Sequence, residues 1–162
     1  MSSYNRRFVL GLPLAVMACG FAPAYGPNGP AKGLRGAIRV ADPGDKAGFD
    51  LVKRLEERLG PPQADRFDLT YTISTDAVGV GITPDNAITR YKLTGTIDRS
   101  QTDRNSGARV TGGPVASVTS WSATGSTVAG LTAEEDARLR LMRILADQIV
   151  ARLLATSGDW LQ

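Results

Sequence analysis

RFDLTYTIS, residues 66–74, decides the fold of this chain. Phe67, Leu69, Tyr71 and Ile73 alternate with Asp68, Thr70, Thr72 and Ser74. A period of two puts the apolar groups on one face of a strand and the polar groups on the other. Just upstream the period differs. In GFDLVKRLEERLG, residues 48–60, Phe49, Val52, Leu55 and Leu59 recur at three- and four-residue spacing and Leu51 widens the stripe. Lys53, Arg54, Glu56 and Glu57 face away, as on an amphipathic helix, and Gly60-Pro61-Pro62 stops it. A helix with one apolar stripe followed by a strand with one apolar face predicts two packed layers.

The elements on either side fit that plan. Upstream, LRGAIRV (residues 34–40) has the composition of a short strand, with Asp42-Pro43-Gly44-Asp45 as its turn. Downstream, DAVGVGIT (residues 76–83) continues the first long strand, with Gly79 and Gly81 able to bend it. Thr83-Pro84-Asp85-Asn86 reads as a hairpin turn. The return strand AITRYKLTGTID (residues 87–98) places Tyr91, Leu93 and Ile97 on one face, with Arg90, Lys92, Thr94, Thr96 and Asp98 on the other. Residues 99–107 (RSQTDRNSG) read as a polar loop, and residues 108–130 as a last long strand bulged near Gly112-Gly113-Pro114. Thr132-Ala133-Glu134-Glu135 has the form of a capping box, with acids suited to the positive end of a helix dipole. Behind it, Ala137, Leu141, Ile144, Leu145, Ile149 and Leu153 form a broad apolar arc. Arg140, Arg143 and Asp147 lie opposite, and Arg138 and Arg152 flank the arc with their heads reaching water.

The predicted fold is therefore α+β: a two-layer sandwich, two helices packed on one face of a mostly antiparallel four-stranded sheet. It occupies residues 36–157 as a single domain, with residues 158–162 as a tail. The other sheet face, rich in Thr, Ser and charge, is left for solvent or a partner.

The N-terminus has its own pattern. Arg6 and Arg7 precede an uncharged, mostly apolar run from Phe8 to Ala18. This is the plan of a secretory signal, and the run is too short for a span of about 20 residues. Val16-Met17-Ala18-Cys19 resembles a bacterial lipobox, which makes residues 1–18 a cleaved signal and the only cysteine, Cys19, the site of lipidation. An ordinary cleaved signal and a buried Cys are the alternatives. Asn5-Arg6-Arg7-Phe8 also bears a faint likeness to a twin-arginine signal, so the export route stays open. Gly20, where an inner-membrane retention signal carries Asp, favours the periplasmic leaflet of the outer membrane. Multiple acyl chains would make that anchoring durable. FAPAYGPNGPAKGLRG, residues 21–36, reads as an irregular tether, so that residues 19–35 form a lipidated, flexible N-terminus.

Composition narrows the chemistry. Of 162 residues, removal of the first 18 leaves 144. Arg6 and Arg7 leave with them, so 17 of the 19 basic residues remain against all 16 acidic ones. That balance offers no nucleic-acid footprint. The absence of His excludes Ser-His-Asp and Cys-His machinery and the usual zinc ligand sets. No metal or cofactor site is expected. Converging carboxylates would be the one route to an enzyme, and nothing in the sequence recommends it.

Several short segments then share one resemblance. They are Cys19-Gly20-Phe21 with Pro23 and Tyr25-Gly26; Ile88-Thr89-Arg90 with Tyr91 and Leu93; the loop from Asp103 to Gly107; Ser120-Trp121-Ser122; and Ser126-Thr127-Val128-Ala129. Asp136-Ala137 and the run from Leu145 to Leu153 complete the set. In order and spacing the chain resembles the LptE family of lipopolysaccharide-assembly lipoproteins, in its alphaproteobacterial form. Trp121 and Val128 stand where that family more often has Tyr. The resemblance implies a non-enzymatic role in a one-to-one complex with an LptD-type outer-membrane β-barrel. The protein would act there as plug and scaffold and help place lipopolysaccharide in the outer leaflet. An auxiliary lipoprotein of another envelope lipid-transport complex is the alternative. Direct contact with lipopolysaccharide would call for Arg or Lys against its phosphates and carboxylates. The candidates are Arg90 and Lys92 beside the hairpin, and Arg99, Arg104 and Arg109 around the following loop. A solvated charged surface is the competing reading for each.

Overall fold

Between Leu59 and Phe67 the chain passes from one layer to the other. The computed structural model describes Gly26, Gly29, residues 31–123 and residues 126–161. Strand β1 (Ile38–Val40) leads to helix α1 (Lys46–Leu59), then to strands β2 (Phe67–Ile82), β3 (Ile88–Asp103) and β4 (Arg109–Ser122), and finally to helix α2 (Thr127–Trp160). The sheet order is β1-β2-β3-β4. Strand β1 runs parallel to β2, with Ile38 opposite Phe67 and Val40 opposite Leu69, and the other pairs are antiparallel. Among the described residues the only parallel pair is the one joined by a helix, as a crossover requires. The predicted α+β sandwich is thus the observed one.

Local chemistry sets the element ends. The Asp45 carboxylate accepts the Gly48 N–H at 2.7 Å and caps α1. Gly60, at φ 80°, turns the chain away after Leu59, a conformation that suits glycine. The Leu59 carbonyl there accepts the Gly36 N–H at 2.9 Å, tying the approach to β1 to the end of the helix. In the β2–β3 turn Asn86 adopts φ 64°, and its N–H donates to the Thr83 carbonyl. The β3–β4 turn is gathered on Asp103. Its Oδ1 accepts the N–H groups of Asn105 and Ser106 at 2.8 and 3.0 Å.

The core lies between the helices and one sheet face. Leu51 and Leu55 of α1 and Leu141, Leu145 and Ile149 of α2 meet Phe67, Leu69, Leu93, Ile97 and Val115 of the sheet, all nearly or fully buried. Burying a side chain of this size stabilises the fold by about 1.5–3 kcal/mol. Gly95 lets α2 come close. A Cβ there would stand 2.7 Å from Leu141 Cδ2 and 3.2 Å from Leu145 Cδ1.

Five expectations are corrected. Phe49 is exposed, because the buried stripe of α1 is Gly48, Leu51, Val52, Leu55 and Leu59, one position away. Ile144 likewise lies off the arc of α2, which takes in Met142, Ala146 and Val150 instead. Residues 99–103 are strand rather than loop, since β2 and β4 pair with them to the end. Strand β4 ends at Ser122 and α2 begins five residues before Thr132, because the Ser126 hydroxyl accepts the Ala129 N–H and caps the helix there. Thr132 is then inside the helix, donating to the Val128 carbonyl. Glu134 and Asp136 pair with Arg138 and Arg140 one turn on instead of meeting the first turn. Lastly, residues 158–160 are helical, and Trp160 packs edge-on against Phe67.

The described end of the tether is also less free than its composition suggests. Ala31 and Leu34 are fully buried in the core, drawn in by tight turns such as Leu34 N–H to Ala31 carbonyl. The short strand accordingly starts at Ile38 and not at Leu34. Residues 1–25, with Cys19, lie outside the described residues.

Candidate functional site

The two helices cover one sheet face and leave the other open. Strand pairing fixes what that face presents. Thr70 stands beside Ser100, Thr72 beside Asp98, Ser74 beside Thr96 and Asp76 beside Thr94. On the far side of β3, Thr94 neighbours Val118 and Lys92 neighbours Ser120. The result is a broad field of hydroxyl groups on a twisted sheet, with charges of both signs scattered across it. Asp68, Asp76 and Asp98 answer Arg90, Lys92 and Arg109. Toward the hairpin, the exposed Val78 and Val118 add apolar spots.

The five candidate cations do not converge on one point, although Arg99 and Arg109 come near each other. Arg90 and Lys92 share the open face near the hairpin, opposite Ser122 and Ser120. Both are exposed. Arg104 lies in the β3–β4 turn, and its guanidinium bridges Asp65 at 3.1 Å and Asp68 at 3.3 Å. That pairing fastens the turn to the start of β2. Arg109 opens β4 and folds over Gly112, in the space a Cβ would otherwise occupy. Arg90 and Arg99 are nine residue steps apart along β3, on the order of 30 Å.

Arg99 is the departure. Expected around the β3–β4 loop, it instead faces inward from β3 opposite Tyr71, and only 3% of it is exposed. Burial, then the like charges of Arg152 and Arg109, push its pKa down. Gln101, two residues along the same face, is fully buried. Burial also raises the pKa of Tyr71, with help from Asp45 and Asp42. Among the described residues, Arg99 Nε and Nη1, the Tyr71 hydroxyl and both amide atoms of Gln101 lack hydrogen-bond partners. The sequence does hold a signal for this cluster. Arg99 and Gln101 continue the alternation of Leu93 and Ile97, but their polarity disguises it.

Among the described residues, a partly open cavity of about 290 Å³ lies between the layers near the start of α1. Leu93, Leu141 and Met142 line it, with Lys46, Asp50 and Arg138 among the residues around it. Lys46 and Arg138 are already paired, with Asp50 and Glu134.

Comparison with known proteins follows the fold. Residues 36–153 match the family model of LptE, described as "Lipopolysaccharide-assembly". No curated protein matches the sequence significantly. Among solved structures, a Caulobacter crescentus CB15 protein provisionally classed as a lipoprotein is similar at 19% identity. It has a TM-score of 0.66, with 83% of this chain and 99% of that one covered. The rare lipoprotein B of Shewanella oneidensis is similar at 13% identity and TM-score 0.58, over 78% of this chain and 98% of that one. A minor lipoprotein of Acinetobacter baumannii is similar at 17% identity and TM-score 0.52, over 74% and 89%. At these identities the likeness is one of fold.

Proposed function

Because this chain belongs to the LptE family of lipopolysaccharide-assembly proteins, we propose that it is the plug and scaffold of an LptD-type β-barrel in the outer membrane. In this reading it assists the barrel's folding and the delivery of lipopolysaccharide to the outer leaflet, and it works by binding rather than catalysis. The observation that carries the proposal is the open sheet face. A barrel interior is polar, so a body seated inside one needs a rigid polar surface. Thr70, Thr72, Ser74, Thr94, Thr96 and Ser120 supply that surface, and the helices hold it from behind.

The anchor completes the reading. Acylation at Cys19 would hold the protein to the periplasmic leaflet of the outer membrane. Metabolic palmitate labelling tests this point: Cys19→Ser is expected to abolish incorporation, and retained label would refute it. For the role itself, the test is depletion of the protein followed by assays of barrel assembly and surface lipopolysaccharide. A misassembled barrel with less surface lipopolysaccharide is expected. An intact barrel and normal surface lipopolysaccharide would overturn the role.

A further inference from the structure

Strand β2 has one bare edge. Strand β1 pairs with it only from Phe67 to Leu69, where the Ala41 N–H adds a last bond to the Leu69 carbonyl. Backbone groups alternate sides along an antiparallel strand. Those of Ile73, Thr75 and Ala77 therefore point the same way as those of Leu69, away from β3. Among the described residues no strand pairs with β2 on that side beyond Leu69.

The other border of the sheet is built differently. On β4, Pro114 has no N–H to offer, Gly113 leaves strand geometry at φ 112°, and the Arg140 guanidinium donates to the Ser120 carbonyl at 3.4 Å. Such devices blunt an edge against pairing. From Tyr71 to Val78, β2 has none of them: no proline, no Lys or Arg, and an unbroken register against β3. The register shifts only beyond Gly79.

The partly open cavity of about 290 Å³ borders the same edge. Thr75 belongs to both. It follows Leu69 and Ile73 in the register that faces the helices, and it lines the cavity with Ala47, Leu93, Leu141 and Met142. The surroundings are acidic. Asp45 and Asp42 act electrostatically on Tyr71, and Asp76 is exposed within the bare stretch. The nearby cations Lys46 and Arg138 are held by Asp50 and Glu134.

We propose that the edge from Ile73 to Val78 receives an extended segment of a partner protein as a fifth strand, with an apolar side chain of that segment in the cavity and basic side chains against Asp42, Asp45 and Asp76. In strand addition the main-chain hydrogen bonds supply affinity, and pockets for alternate side chains supply specificity. A second copy of this chain fits less well, since it would bring the same acids edge to edge. The chain's own residues 21–30 also fit less well, because Pro23, Pro27 and Pro30 cannot donate. The site goes beyond the plug role and does not depend on it.

The test uses the full-length protein in non-ionic detergent and a defined probe. The probe is a fluorescein-labelled peptide of alternating Thr and Val, with Leu at its centre and two lysines at one end. Anisotropy follows binding, and hydrogen exchange read by NMR follows the amides. In the free protein the N–H groups of Ile73, Thr75 and Ala77 should exchange at least about tenfold faster than those of Thr72, Ser74 and Asp76, which face β3. Saturating peptide should remove that difference. N-methylation of every second peptide residue is tested in both registers. One register should weaken binding at least about tenfold and the other should not, because only one faces β2. Exchanging the lysines for glutamates should also weaken it. Thr75→Pro removes an N–H that faces the bare edge and should weaken binding as much as the effective N-methylation. No binding, unchanged exchange, or equal effects of the two methylation registers overturns the proposal, and the wild-type comparison decides even if Thr75→Pro fails to fold. A peptide-free dimer that Thr75→Pro abolishes would give the edge to a second copy and overturn the stated occupant. Barrel assembly plays no part in this readout, so its failure and that of the plug role are distinguishable.

Discussion

Trp160 stands edge-on to Phe67, with ring centroids 5.0 Å apart and planes at 83°. The contact joins the last turn of α2 to the first residue of β2, and both side chains are buried. The indole N–H donates to the Thr156 hydroxyl at 3.1 Å, so the ring's polar edge is satisfied while its body fills the core. Trp160→Ala is therefore expected to lower the unfolding free energy by about 3 kcal/mol. Urea denaturation monitored by circular dichroism measures it. A change within error of zero would return these residues to the status of a loose tail.

Gly95 makes a sharper point about the sheet and α2. Its missing Cβ is what lets Leu141 and Leu145 settle on β3. Both leucines are fully buried and cannot swing clear. Gly95→Ala is expected to destabilise the protein by about 2 kcal/mol through overpacking, despite alanine's lower backbone entropy cost. A stabilised variant would show that the helix sits farther from the sheet.

Asp103 gives the fold a defined acid response. The hydrogen bonds from Ser106 come first, with those from Asn105 and the Arg66 side chain, and they hold its pKa below the usual carboxylate value against a smaller effect of desolvation. A depressed folded pKa means that its stabilisation is complete above the unfolded value of about 3.9. It is lost as pH falls through the lower, folded value. Asp103→Asn should therefore have a lower Tm than the wild type at pH 6, and the gap should close toward pH 2. A gap independent of pH would assign the effect to shape rather than charge.

These residues also show which parts of the structure could be read from the sequence. Alternation in residues 66–74 and helical spacing in residues 48–60 were legible, because burial of one face leaves a periodic trace. Arg99 and Gln101 broke that trace. Both occupy inward positions on β3, yet polar side chains in an inward register look like loop in a sequence. The start of α2 was obscured for a different reason. Ser126 and Thr132 both have the chemistry of a cap, and the choice between them was made by how far β4 pairs with β3, which is a tertiary fact. The open face was legible as polar. Polarity alone does not distinguish a solvated face from one that meets a barrel wall.

That distinction yields a prediction of its own. Ser74 is exposed in the middle of the open face, with Thr96 as its neighbour on β3. Ser74→Arg should leave Tm within about 1 °C of the wild type, since surface substitutions rarely exceed 0.5 kcal/mol. In the proposed complex the same side chain meets a wall, so recovery of the barrel with the variant should fall several-fold. Full recovery would place the docking surface elsewhere.

The central claim is tested most directly by purifying the native, membrane-extracted protein and identifying its stoichiometric partner by mass spectrometry. The expected partner is an LptD-type outer-membrane β-barrel at one copy per copy of this chain. Recovery with a periplasmic or inner-membrane lipid-transport complex, and without that barrel, would contradict the account.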